Sequence, residues 1–273
     1  MNKNRFFLLV LLLLTIPPLF SQEFYRRNLN YVDTATFMIW TTPNFAVHVP
    51  FGNGGYLDST FKHNYKIGLD FTFKTKSNWT FDFSFNYMFG SEVKLSAKEL
   101  LGDMAIYMND TIVAFFNGEG NHSLELSREG RYWNLNASVG KIVPLDRWKN
   151  SGLWFRAGIG FFSHKVYFAD TYKYFPQIEQ KTYRLGYDRR SSGVALNQFF
   201  GYLFLRQKRV LSFYVGVEIW EVFTKPDRGY IFVGPYAGPT DKLPYKFSGL
   251  IGVKAGWNLP FYEKKRVVTL YTF

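Results

Sequence analysis

The chain has 273 residues, 33 basic and 21 acidic side chains for a formal charge of +12, and 56 aromatic rings (30 Phe, 19 Tyr, 7 Trp), with no cysteine. The missing cysteine excludes a disulfide scaffold, a Cys-ligated zinc or iron–sulfur site, a thiol nucleophile and a lipid-anchored N-terminal Cys. An apolar share of 47% is ordinary for a soluble protein, so hydropathy alone does not mark this chain as a membrane protein.

Residues 1–22 read as a secretory signal peptide. Lys3 and Arg5 precede an apolar run over 6–16, Pro17 and Pro18 end any helix, and Ser21-Gln22 offers a small-residue exit. The run is too short to span a bilayer as a helix, and no later segment has 18 consecutive apolar residues. Residues 23–43 form a lead-in segment.

Beyond residue 40 the dominant period is two. Over 64–75, Tyr65, Ile67, Leu69, Phe71 and Phe73 alternate with Lys66, Gly68, Asp70 and Thr72. After a tight Lys76-Ser77-Asn78 turn, Trp79, Phe81, Phe83, Phe85, Tyr87 and Phe89 share one face and Thr80, Asp82, Ser84 and Asn86 the other. Residues 210–221 repeat the pattern. Such alternation predicts strands with one apolar and one polar face. Their length suits a tilted membrane crossing better than the five or six residues of a globular strand. Rings near the strand ends (Tyr65, Trp79, Phe89, Trp257) suit the two bilayer interfaces.

Eight strands are predicted, at 44–51, 64–75, 79–89, 129–143, 152–168, 192–205, 209–222 and 246–259. Long connections (52–63, 90–128, 169–191, 223–245) alternate with short ones (76–78, 144–151, 206–208). This predicts an all-β fold, a single antiparallel transmembrane β-barrel over 44–259, with long extracellular loops and short periplasmic turns. Segment 265–273 also alternates. It is either a tail, within 260–273, or a strand that demands a hidden tenth partner in 24–42 or 90–128, so ten strands is the alternative. In the 90–128 connection, Leu95–Met108 has apolar residues at helical spacing, and Asn117–Gly120 is a turn cluster that would fold the loop into a hairpin.

With these spans and a terminal Phe273 that has Tyr271 two residues before it, the chain resembles the small outer-membrane β-barrels of Gram-negative bacteria, the class that includes the OmpA barrel, OmpX, PagP and the PorT-type barrels. The resemblance implies an outer-membrane location, outer-membrane lipids as surroundings and another envelope protein as a candidate partner. It does not carry a function across.

If the apolar faces meet lipid, the inward set includes Lys66, Asp70, Asp82, Arg156, Glu218 and Lys254, three cations and three anions. A lone ion inside costs several kcal/mol, so these are expected to pair as a lumen ion network. Gly158, Gly160, Gly252 and Gly256 fall on the same face and leave room for it. A second cluster is expected at the short turns, a basic periplasmic face of Lys74, Lys76, Arg147, Lys149, Arg206, Lys208, Arg209, Lys264, Lys265 and Arg266, suited to anionic head groups or an acidic partner.

Catalytic signals are sparse. The four histidines are His48, His63, His122 and His164. Ser163 and His164 are adjacent, so as strand neighbours they point to opposite faces and do not pair as nucleophile and base. There is no G-x-S-x-G, and no two His stand at ligand spacing. No catalytic residue, metal, cofactor, nucleotide or nucleic-acid partner is assigned. The expected role is a non-catalytic structural, surface-interaction or assembly/secretion-complex subunit. The alternatives are a lipid-modifying enzyme, or a narrow solute pore if the strands number ten or more.

Overall fold

The computed structural model describes residues 35–52, 54–57, 62–90, 93–94, 105–108, 111–115, 126–145, 149–170, 188–205, 212–227 and 244–261. Among these residues eleven strands form: β1 (Met38–Phe51), β2 (Asn64–Lys74), β3 (Trp79–Gly90), β4 (Ala105–Met108), β5 (Thr111–Phe115), β6 (Leu126–Val143), β7 (Gly152–Asp170), β8 (Ser191–Phe204), β9 (Phe213–Pro226), β10 (Lys246–Trp257) and β11 (Leu259–Phe261). β4 and β5 make a separate two-stranded hairpin. The others close on themselves, because β10 and β11 both pair antiparallel with β1. β11 keeps the register of β10, so the two are one strand interrupted at Asn258, and the product is an eight-stranded antiparallel barrel. The interruption faces Thr42, next to Pro43, which has no N–H to offer the ladder. Thr42 Oγ1 instead donates to Asn258 Oδ1 at 2.8 Å.

The register sets the tilt. Steps across the ladders from Met38 through Lys74, Thr80, Gly140, Arg156, Phe199, Glu218 and Gly252 return to β1 at His48, ten residues beyond the start. With a rise of ~3.3 Å per residue and ~4.7 Å between strands, that offset inclines the strands by about 40° to the barrel axis.

Alternation decides what faces where. On β3, Trp79, Phe81, Phe83, Phe85, Tyr87 and Phe89 are exposed, while Thr80, Asp82, Ser84 and Asn86 are buried. The wall of β1, β2, β8, β9 and β10 is likewise covered by exposed Phe, Val, Ile and Leu side chains. A continuous apolar surface of this kind is foreign to water-soluble monomers, which rarely expose contiguous patches beyond a few hundred Å². A closed barrel, apolar outside and polar inside, is instead the solution for crossing a bilayer with strands. Phe83→Arg, which puts a charge on the middle of this wall, is therefore expected to cost about 2–4 kcal/mol of folding free energy. Urea unfolding in lipid vesicles measures it, and an effect near zero would place this wall outside hydrocarbon.

Several boundaries differ from the sequence reading. β1 begins at Met38 instead of 44, since Ile39, Trp40 and Thr41 pair with β11 beyond Pro43. β9 occupies 213–226 instead of 209–222, because its polar end, Thr224 and Lys225, still pairs with β8. The helical spacing in Leu95–Met108 is overturned where the structure describes it: Ala105–Met108 is a strand paired with β5. β4 pairs antiparallel with β5, where the β-branched run Thr111-Ile112-Val113 favours a strand; the turn cluster Asn117–Gly120 lies outside the described residues. Segments 1–22, 23–34 and 265–273 lie outside the described residues. The short turn between β2 and β3 has a physical cause in Asn78, which adopts φ 63°. Asparagine tolerates that left-handed conformation, and its Nδ2 donates to the Lys149 carbonyl at 2.9 Å, tying this turn to the next one.

Candidate functional site

The barrel interior is layered. Toward the short turns, Met38, Trp40, Ile142, Trp154, Phe199, Leu203 and Tyr214 form a buried apolar cluster with Leu205. Trp154 is its hub, with ring centroids 6.3 Å from Trp40, 5.8 Å from Phe199 and 5.3 Å from Tyr214, and with Nε1 donating to Thr80 Oγ1 at 3.0 Å. Toward the long loops a second ring layer joins Tyr132, Phe162, Trp220 and His164. Tyr132 donates to Asn64 Oδ1 at 2.6 Å. Above it, the turn at 54–57 folds back so that Leu57 is fully buried, its N–H donating to Ser248 Oγ at 3.2 Å.

Between the two ring layers lie the charges. Lys66, Asp70, Asp82, Arg156, Glu218 and Lys254 come from β2, β3, β7, β9 and β10, and all are buried. Glu218 pairs with Lys66, with His48 Nε2 at 2.9 Å and with Lys254 at 3.4 Å. Asp70 takes Lys254 at 2.9 Å and Arg156 at 3.6 Å, and accepts hydrogen bonds from Tyr214 Oη at 2.7 Å and Asn44 Nδ2 at 3.0 Å. Asp82 takes Arg156 at 3.5 Å and the Thr72 hydroxyl at 2.6 Å. The rest of the Arg156 guanidinium is covered by rings, 4.1 Å from the Trp154 centroid and 4.4 Å from that of Phe199, where cation–π attraction replaces water. Three cations thus share three anions in one connected layer.

Packing of this density needs small neighbours at two close approaches. A Cβ on Gly201 or Gly216 would stand 2.6 or 2.7 Å from Phe199 Cζ, and one on Gly256 would stand 2.7 Å from the Tyr214 ring. Gly256 leaves room for the Tyr214 ring in the position from which its hydroxyl reaches Asp70. Gly158, Gly160 and Gly252 share the inward parity but are less completely covered.

His48, Asn44, Thr72 and Tyr214 are missing from the sequence-derived set. His48 and Asn44 hold the inward parity of β1, and Tyr214 that of Glu218 on β9, so parity was the signal available for them. The two ring layers left no such signal. Rings occupy both faces at Trp154-Phe155, Phe161-Phe162 and Phe199-Phe200, so alternation cannot tell lining from wall there.

The basic cluster is described only in part. Lys76 and Lys149 are exposed at the short-turn end. Lys74 does not belong to that face. It falls on the inward parity of β2 and is fully buried, with Nζ donating to the Thr36 carbonyl at 3.0 Å and to Asn150 Oδ1 at 2.8 Å. Lys141, not foreseen, takes a place at this rim, 4.9 Å from the Trp79 ring centroid. Arg147, Arg206, Lys208, Arg209, Lys264, Lys265 and Arg266 lie outside the described residues.

His164 points inward, with Nε2 3.3 Å from Thr224 Oγ1, and Ser163 sits on the opposite face of β7. His63 packs its ring edge on Tyr65 at 5.7 Å, and His122 lies outside the described residues. Among the described residues no three His, Asp or Glu side chains are grouped as metal ligands.

No family model and no curated protein matches the chain. Among solved structures it is similar to the attachment invasion locus protein Ail of Yersinia pestis in complex with the heparin analogue sucrose octasulfate, with a TM-score of 0.43 and 10% identity over 82% of this chain and 99% of that one. It is similar to neisserial surface protein A, with a TM-score of 0.42 and 9% identity over 80% and 96%. It is also similar to the outer-membrane protein OprG of Pseudomonas aeruginosa, with a TM-score of 0.30 and 12% identity over 83% and 97%.

Proposed function

We propose that the protein is a non-catalytic barrel of the bacterial outer membrane that acts through its rims and loops, as a structural or surface-interaction protein or as a subunit of an envelope assembly or secretion complex. The observation that carries this reading is the filled interior. Two ring layers enclose a charge-balanced layer, so what remains for a partner to touch is the loop end, the short-turn end and the wall. Eight strands also remove the condition attached to a solute pore, a barrel of ten or more.

The short-turn end is the docking face in this reading. Lys76 and Lys149 stand exposed there, and the neighbouring turns and C-terminal segment are rich in Arg and Lys. Such a face suits anionic head groups or an acidic periplasmic protein. Purification in mild detergent is expected to bring along a stoichiometric envelope protein, and charge reversal at Arg206, Lys208 and Arg209 is expected to release it. Recovery of the barrel alone, together with a lipid modification lost in His164→Ala, would replace this reading with an enzymatic one.

A further inference from the structure

The outer wall carries one irregularity. At the middle of β8 the outward residue is Gln198, and on β9 the outward residue Glu221 stands one outward position short of the loop-side ring Phe223. Gln198 Nε2 donates to Glu221 Oε1 at 3.3 Å, and Gln198 is exposed. Among the other outward-parity charged side chains whose burial is described, Lys141 stands at the short-turn end, and Arg131, Lys165 and Lys225 at the loop end. An amide and a carboxyl on the hydrocarbon-facing wall lose their hydration and gain one bond between them. The second Nε2 hydrogen and Oε1 of Gln198 have no further partner among the described residues, because the neighbouring wall is aliphatic. Ala157, the Cα partner of Gln198 on β7, leaves the surface beside the amide low.

We infer that this patch is an intramembrane contact with a second copy of the same chain. The argument is one of symmetry and hydrogen-bond capacity. A two-fold axis along the membrane normal preserves depth, so it brings the two Gln198 amides together at the same level. A primary amide is its own complement: each donates its free Nε2 hydrogen to the Oε1 of the other while its first hydrogen stays with its own Glu221. The two amides then complete one another's hydrogen bonds in a place without water, while each keeps its bond to its own Glu221. Ile159, Leu196, Phe200, Val217 and Ile219 surround them as the apolar rest of the contact, and the small Ala157 allows close approach.

The inference rests on the wall facing lipid, which flotation with membranes tests by itself. The absence of cysteine makes the decisive experiment clean. Ala157→Cys and Leu69→Cys each place one thiol on the wall, the first beside Gln198 and the second on β2 at the far side of the barrel. In native membranes, Ala157→Cys treated with a short bis-maleimide is expected to give a dimer, and Leu69→Cys to give about tenfold less. Adding Gln198→Leu to Ala157→Cys is expected to cut the dimer by about tenfold, the factor that corresponds to roughly two net hydrogen bonds. Membrane-integrated protein that cross-links equally from both sites, that keeps its dimer yield with Gln198→Leu, or that couples to a different protein through Ala157→Cys would overturn the inference.

Discussion

Glu218→Ala is expected to lower the stability of the folded barrel by about 3–5 kcal/mol, the cost typical of removing one partner from a buried ion pair. Glu218 is the anion shared by Lys66, His48 and Lys254. Without it Lys66 is left with the Trp220 ring, whose centroid is 5.8 Å from Nζ, and, among the described residues, with no carboxylate in direct ion-pair contact. Lys254 keeps Asp70, so the loss falls mostly on Lys66. For that reason Glu218→Ala combined with Lys66→Met is expected to regain most of the loss, since an apolar side chain of similar length is tolerated where an unpaired cation is not. Urea unfolding in lipid vesicles, followed by Trp fluorescence, measures both. If the single change costs less than about 1 kcal/mol, the layer is hydrated and behaves as a surface salt bridge would.

Trp154→Ala is expected to cost a similar amount, about 3–5 kcal/mol, through a different mechanism. The indole contacts Trp40, Phe199 and Tyr214, lies under Arg156 and donates to Thr80. Its removal leaves a void between the ion layer and the short-turn mouth and strips the ring cover from Arg156. Trp154→Phe is expected to retain most of the packing and lose the Thr80 bond, at about 1 kcal/mol. Equal losses in the two variants would mean that the hydrogen bond, not the volume, is what matters at this position. Planar-bilayer recordings provide a second readout. The wild-type barrel is expected to be silent, and Trp154→Ala to admit water from the short-turn end only as far as the ion layer.

The wall and the lining of the barrel were legible in alternation wherever one face is uniformly apolar. β2 and β3 are such cases, and there parity alone puts Lys66, Asp70 and Asp82 on the face opposite the rings. Parity is also why Lys74 could be misplaced. Its position near a turn suggested solvent, yet its even number on β2 turns it inward, and the interior offers the carbonyl and amide oxygens that an ammonium needs. Where consecutive residues are both aromatic, as at Phe199-Phe200, one ring packs inside and its neighbour outside. Only the ladder register, a long-range property, separates them. The hairpin of β4 and β5 was hidden for the opposite reason. Short apolar runs satisfy helical and strand spacing equally, and the strand form wins when the following residues are β-branched and supply an edge to pair with.

The barrel closes where β1 meets β10 and β11, between positions as far apart as Thr42 and Asn258. Lys254 resides on that last strand, whereas its two carboxylate partners are on β2 and β9. Until the seam shuts, Asp70 on β2 is held apart from Lys254, and Glu218 on β9 from Lys66 and His48, and two strand edges are left open at the same time. Zipping the edges and neutralising the centre are therefore a single event. A half-rolled ribbon is penalised twice, which makes insertion all-or-none instead of strand by strand.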